Sequence, residues 1–399
     1  MTHASTLIPS SRTKPSPGTK DRARVSPTVA MGGAVGLFLT ARLFGVAVLA
    51  LASWRTGRNP LALLGRSWDS LWYLGIAAHG YVRTERTHLG VVSDMAFFPL
   101  YPALVRAVTA LSPLSGGAAG LVVSWTAAAV AACGIYAVGA RLHGRAVGTA
   151  LVLLWGLLPH SVVLSMAYTE PVLTAFAAWT LYALLTGRWL WAGALAALAG
   201  LSRPNAFALA AAVVAAALWE TGRRVRQRRE VTHRLWTAAA IAPTGWVAYV
   251  LWVGRREGSV LRGYFDLQRR WGSRFDFGEG AWQFVRHLLL QGDRLVFPMA
   301  LVIVAAGLVL YALLLADRAP LPLLVYTGVL LLVVLGGSGF FECKPRFLIP
   351  AFPLLIPLAR ALVRTARARP WHATVVVGAL AGLSYCYGAY LLVLANMPL

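Results

Sequence analysis

The feature that most constrains this chain is a succession of apolar stretches, divided by short loops rich in arginine. A bilayer core about 30 Å thick takes roughly 20 apolar residues of helix, and backbone groups inside it must be bonded within the protein. Apolar runs fall at 31–53, 117–140, 147–166, 171–186, 189–202, 205–221 and 235–254, then at 294–316, 321–337, 347–363 and 372–396. The fold class expected is an all-α polytopic membrane protein of about eleven transmembrane helices. Hydrophobic residues make up 58% of the 399, more than a soluble domain of this size needs.

The formal net charge of +23 raises the question of nucleic acid. The arginines gather in short loops between apolar runs, which is the positive-inside pattern of a membrane protein, so a nucleic-acid partner is excluded. Arg223, Arg224, Arg226, Arg228, Arg229 and Arg234 form the strongest cytoplasmic signal. Residues 1–29, rich in Ser, Thr, Pro and basic residues, read as a disordered cytoplasmic tail ahead of a single integral membrane domain, 30–399. The loops 54–116, 255–293 and 338–346 are then expected on the other side. The second carries many arginines against the simple rule, which is tolerated if it binds an anion. Arg42, inside the first run, is costly unless it faces the protein interior. Cys133 and Cys386 lie in apolar runs and, with Cys343, imply no disulfide framework.

The loop after the first run reads RSWDSLWYLGIAAHGY and then, after a polar interval, DMAFFPLYP. Arg66, Asp69, His79, Arg83, Glu85 and Arg86 come too often for a bilayer core. Trp68, Trp72, Tyr73 and Tyr81 favour the membrane–water interface. A helix lying at the surface is expected, with Asp69, Tyr73, Ile76 and Gly80 on one face. Alone, Asp69 reads as a helix cap or a partner for Arg66. The stretch 97–111 is short and carries Pro99, Pro102 and Arg106, so it is either a full span or an interfacial or re-entrant helix. If it does not span, every later loop falls on the side its charges predict.

The ordered set of WD, IAxxGY and AFFPLYP, followed by AYTEP, SRPNA and KPRFLIPAFPLL, resembles the glycosylphosphatidylinositol second-mannose transferase (PIG-V-like) family. The likeness covers most of the chain after residue 30. These are multispan glycosyltransferases of the GT-C fold, with interfacial helices in a large first outer loop. The resemblance implies a mannosyltransferase that moves mannose from a polyprenyl-phosphate mannose donor to a glycolipid or other membrane-associated acceptor, on the outer face. The matched positions are Trp68, Asp69, Ile76, Gly80 and Tyr81, then Ala96 to Pro99 with Tyr101 and Pro102, then Glu170, Arg203 and Asn205, then Pro345, Arg346 and Phe347. The catalytic role carried over falls on Asp69. Asn205 is followed here by Ala206, where the family tends to Asn-Gly. The Ala/Arg/Leu bias points to a GC-rich bacterial genome and hence to the cell membrane, so the resemblance supports mannosyl transfer better than it supports a particular acceptor.

The same chemistry follows from residue types. A carboxylate takes a proton from an attacking hydroxyl, and cations stabilise charge on a departing phosphate. Asp69 is the candidate base, with Asp94 and Glu170 as further carboxylates. Lys344 and Arg346 flank Pro345 at a helix start and, with Arg203, are the candidate phosphate ligands. Trp68, Tyr101 and Asn205 complete the candidate site. Each has a plainer reading: Glu170 as dipole compensation, and Arg203, Lys344 and Arg346 as interfacial anchors. His160 and His287 are assigned structural places. No glycine-rich nucleotide loop and no metal-ligand spacing appears. No cofactor is required by these residues, though Asp69 with Asp94 could hold a divalent metal. A transporter or flippase of a lipid-linked sugar is the rival reading. It favours charges buried within spans, whereas here they gather in outer loops.

Overall fold

The computed structural model describes residues 26–87, 90–291, 294–339 and 341–395. The expected disordered tail lies outside these residues up to position 25. Its last part is helix, because the first helix, Pro27–Arg55, begins at a serine cap: Ser26 Oγ accepts from Val29 N at 3.3 Å, and Pro27 stands in the first turn. A proline there gives up only an N–H that the helix could not pair.

Among the described residues, six helices are long and apolar enough to cross a membrane: Pro27–Arg55, Gly116–His143, Pro204–Arg226, His233–Arg256, Val296–Ala316 and Pro370–Ala395. A seventh arises if Phe341–Phe347 and Phe352–Ala368, bent by 77°, count as one broken span. The chain is a multi-pass integral membrane protein. On this criterion the expected count of eleven is not reached, because four of the runs form shorter helices: Arg145–Gly156, Glu170–Leu185, Trp189–Gly200 and Leu321–Gly336. The run at 147–166 shows the reason. Pro159 cannot continue a helix, and the chain turns into the short 3₁₀ segment Ser161–Ser165. The stretch 97–111 gives a helix of only 12 residues, Leu100–Leu111, below spanning length.

The all-α expectation needs one correction. In the first loop, Thr84–Thr87 pairs antiparallel with Gly90–Ser93, in the register Thr84↔Ser93 and Thr87↔Gly90. Asp94 closes this hairpin. Its Oδ2 accepts from Val82 N at 3.0 Å and Arg83 N at 2.8 Å. The polar interval that looked like mere loop is therefore folded by one buried carboxylate.

Helices pack where small residues let backbones meet. A Cβ on Gly245 would stand 1.9 Å from Ala197 O, and one on Gly139 would stand 2.8 Å from Gly148 Cα. Arg42 is 3% exposed, and all three of its guanidinium nitrogens donate, as its position inside a span demands. It donates to Ser161 Oγ at 2.6 Å, Gly156 O at 3.1 Å and Ser165 Oγ at 3.0–3.1 Å.

The break after Phe347 is what delivers Arg346. Non-helical backbone within a membrane protein is tolerated where the protein itself pairs the freed carbonyls. Trp155, stacked on Phe38 at 5.0 Å, donates Nε1–H to Ile349 O at 3.0 Å. The Tyr326 hydroxyl donates to Pro350 O at 3.1 Å. These two buried aromatics hold the bend open and fix the four-residue helix Lys344–Phe347 at its mouth.

Candidate active site

Asp69 is the first residue of the helix Asp69–His79, which buries Ser70, Tyr73, Ile76 and Ala77. The residue before it, Trp68, has φ 49°. A bulky side chain in the left-handed region costs roughly 1–3 kcal/mol and persists only where the surroundings impose it. The turn sets Asp69 at a helix N-terminus, where a negative charge is favoured. Its carboxylate accepts an ion pair from Arg346 Nη2 at 2.6 Å, with the Asp69 side chain 24% exposed and that of Arg346 9%.

Behind this pair lies a second carboxylate. Glu170 begins the helix Glu170–Leu185 and is completely buried. It pairs with Arg203, and Arg346 Nε stands 3.7 Å from its Oε1. Arg203 Nη1 also donates to Thr169 Oγ1 at 2.9 Å, and the Tyr73 hydroxyl stands 3.4 Å from the same oxygen. Two acids and two arginines thus form one buried, charge-balanced cluster. Such a cluster adds little net stability, but removing a fully buried member such as Glu170 typically costs about 3–5 kcal/mol. Arg346 keeps Nη1 buried with no hydrogen-bond partner, and Asn205 Oδ1 is likewise unpaired. Burial pushes the Tyr73 phenol up to about 12.

The cluster forms one end of a cavity of about 540 Å³. Asp69, Arg203 and Arg346 supply its charged wall, and Trp68, Trp72, Phe97, Phe347 and Trp271 supply aromatic surface. Trp271 reaches in from the second loop. Its Nε1 donates to Ser93 O at 3.0 Å, and its ring lies 5.1 Å from Trp72 and 5.4 Å from Phe97. Arg83 lies over Trp72 at 4.2 Å and pairs with Glu85 at the rim.

Of the residues proposed from sequence, the cavity gathers Trp68, Asp69, Arg203, Asn205 and Arg346, with Glu170 buried behind them. It does not gather three others. Asp94 is spent on backbone N–H groups, so the pair Asp69 with Asp94 does not face one cavity. Tyr101 is wholly buried, its hydroxyl bonded to Gly120 O at 2.9 Å and near Ser124 Oγ at 3.0 Å. Lys344 is also buried away from the cavity: Nζ donates to Gly337 O at 2.8 Å and lies over Phe341. Among the described residues, no group of three or more His, Cys, Asp or Glu side chains is placed to hold a metal ion.

Thr169 was not singled out from sequence, and the segment QRRWGSRF, whose Gln268 and Trp271 line the cavity, read as either a cover over the site or a headgroup anchor. Thr169 stood beside Glu170 in AYTEP, and a hydroxyl next to a buried acid was the available signal. Trp271 stood among arginines in QRRWGSRF, where nothing separates a cavity wall from a surface anchor.

Residues 96–249 match the family described as Dolichyl-phosphate-mannose-protein mannosyltransferase. That range holds Glu170, Arg203 and Asn205 but neither Asp69 nor Arg346. Among solved structures the chain is similar to ArnT from Cupriavidus metallidurans bound to undecaprenyl phosphate, with TM-score 0.54 and 15% identity over 86% of this chain and 62% of that one. It is also similar to the Archaeoglobus fulgidus oligosaccharyltransferase in the apo form, with TM-score 0.52 and 12% identity over 91% of this chain and 56% of that one. The complex of that enzyme with Zn and sulfate gives TM-score 0.50 and 13% identity, over 90% and 53%. No curated protein matches the chain. The chain shares the fold of these solved structures, the GT-C fold. In that GT-C frame this chain spans between 53% and 62% of the length of the structures it matches.

Proposed function

We propose that the protein is a GT-C glycosyltransferase that moves mannose from a polyprenyl-phosphate mannose donor to a membrane-associated acceptor on the extracytoplasmic face, with about eleven helical segments in the membrane. The observation that carries the reading is Asp69, part-exposed to a cavity and held 2.6 Å from the otherwise buried Arg346. In this reading the acceptor hydroxyl attacks the anomeric carbon. The bond from that carbon to the phosphate oxygen breaks, and polyprenyl phosphate leaves with the electron pair. Asp69 takes the hydroxyl proton, and Arg346 and Arg203 stabilise the phosphate. The aromatic wall receives the sugar and the first isoprene units. ArnT, solved with undecaprenyl phosphate, supports a lipid-phosphate donor on this fold. The helix Phe207–Arg226 supports the sidedness: Arg203 precedes one end and the arginine-rich loop follows the other, about 30 Å apart.

The test is transfer in proteoliposomes supplied with radiolabelled mannosyl polyprenyl phosphate and a total membrane extract as acceptor source. Label is expected to leave the donor for a new product, with equal release of polyprenyl phosphate. Intact donor crossing the bilayer without bond cleavage would overturn the reading in favour of a flippase.

A further inference from the structure

The structure holds a second cavity, of about 700 Å³, whose lining includes Arg269, Arg274, Asp276, His287 and Ser338. It shares a wall with the first. Along residues 271–274, Trp271 and Ser273 line the first cavity, while Gly272 and Arg274 line the second. These residues form the turn that ends the helix Gly263–Arg270, with Gly272 at φ 79°. The wall is held by its backbone: Ser338 N donates to Arg274 O at 2.7 Å, Asp276 N to Gly336 O at 2.8 Å, and Phe275 bridges Gly337.

The second cavity has a cationic surplus. Its acid, Asp276, is spent on the backbone N–H groups of Gly278 at 3.1 Å and Gly280 at 2.9 Å. Arg269 is paired with Asp266. Arg274 lines the cavity with no ion pair to any described residue, and His287 stands in the same lining. Ser338 Oγ accepts from Arg274 N at 3.2 Å, which leaves its proton to donate. Glycines keep the floor open: a Cβ on Gly280 would meet Asp276 Oδ2 at 2.8 Å, and Gly339 has φ 74°. The arginine content of this loop, which opposes the positive-inside rule, has no other use in the first cavity.

We propose that this second cavity binds a phosphate group, through Arg274, His287 and the Ser338 hydroxyl. A guanidinium suits phosphate because its planar fork meets two oxygens at once. The phosphate comes either from a lipid headgroup or from free anion. Binding needs no sugar transfer, so the proposal stands apart from the catalytic reading.

The test uses the full chain in detergent with three probes: dioctanoyl phosphatidylglycerol, inorganic phosphate and uncharged dioctanoylglycerol. Calorimetry reports binding. Saturable binding of the phosphatidylglycerol, weakened about tenfold or more in Arg274→Gln, is expected for a headgroup site. Inorganic phosphate binding with the same dependence on Arg274 would assign the site to free anion. Arg274→Lys, which keeps the charge and loses the fork, should fall between. Equal binding of the uncharged probe, or phosphate binding indifferent to Arg274→Gln in a folded variant, would overturn the proposal.

Discussion

Asp69 and Asp94 lie in the same loop, and the structure treats them oppositely. Asp94 is 2% exposed and is satisfied by two backbone N–H groups, with Ser93 Oγ at 3.3 Å. Every strong partner it has belongs to the hairpin it closes. Asp69 has a side-chain cation as its partner and about a quarter of its own side chain open to the cavity. A carboxylate buried against backbone N–H groups, as Asp94 is, presents no open face to a substrate. One held by a guanidinium can exchange that partner for a proton or a hydroxyl. What separates the two acids is therefore the kind of partner, and burial alone would have chosen the wrong one.

The largest effect expected is on Asp69. Asp69→Asn keeps the shape and cannot take a proton, so transfer should fall by about 10²–10⁴ while the protein still folds and inserts. Asp94→Asn keeps one carbonyl oxygen for the Val82 and Arg83 N–H groups, so turnover should stay near wild type. Thermal unfolding in detergent run beside the transfer assay separates the two readings. Wild-type turnover in Asp69→Asn, or a loss of turnover in Asp94→Asn without a change in melting temperature, would break the comparison.

The next effect distinguishes two cations in one short helix. Arg346 faces the cavity, while Lys344 holds Gly337 O. Arg346→Lys keeps a charge beside Asp69 and Glu170 but loses the planar fork, so donor kcat/KM should fall by about 10²-fold, the scale of one lost transition-state donor. Lys344→Met leaves a carbonyl unpaired and should cost about 1–3 kcal/mol of stability with donor KM unchanged. A donor KM that rises in Lys344→Met and not in Arg346→Lys would reverse the assignment.

The membrane class was legible from apolar run length, and the site helix from the aromatic and charged residues around Asp69. Arg42 was legible in kind: a guanidinium inside a span had to find partners, though Ser161 and Ser165 lie too far along the chain to be named in advance. The bend after Phe347 was not legible. It depends on Trp155 and Tyr326 reaching two carbonyls from distant helices, and a sequence shows the prolines at such a break but not the donors that make it tolerable. Lys344 and Arg346 looked equivalent for the same reason. Two residues apart on one short helical turn, they face different neighbours, and that orientation comes from packing. The hairpin was hidden because Asp94 looks like any loop acid until its partners are seen.

The smallest effect expected is at Tyr73, and it sharpens the comparison from the other side. Tyr73 lines the cavity beside Asp69, and its hydroxyl makes one long contact, 3.4 Å to Thr169 Oγ1. Burial raises its phenol to about 12, above the ordinary value, because the charged form is the one that burial disfavours. The hydroxyl is therefore protonated throughout the range from pH 6 to pH 10 and is a poor proton acceptor there. Removing it in Tyr73→Phe deletes a weak contact worth about 1 kcal/mol or less and keeps the ring that packs on Phe97 and Tyr101. Rate should change by less than about tenfold, and the shape of the pH–rate profile between pH 6 and pH 10 should not change. If Tyr73→Phe removed an alkaline limb from that profile, the phenol would be titrating in the working range. Tyr73 would then share the proton-transfer role assigned to Asp69.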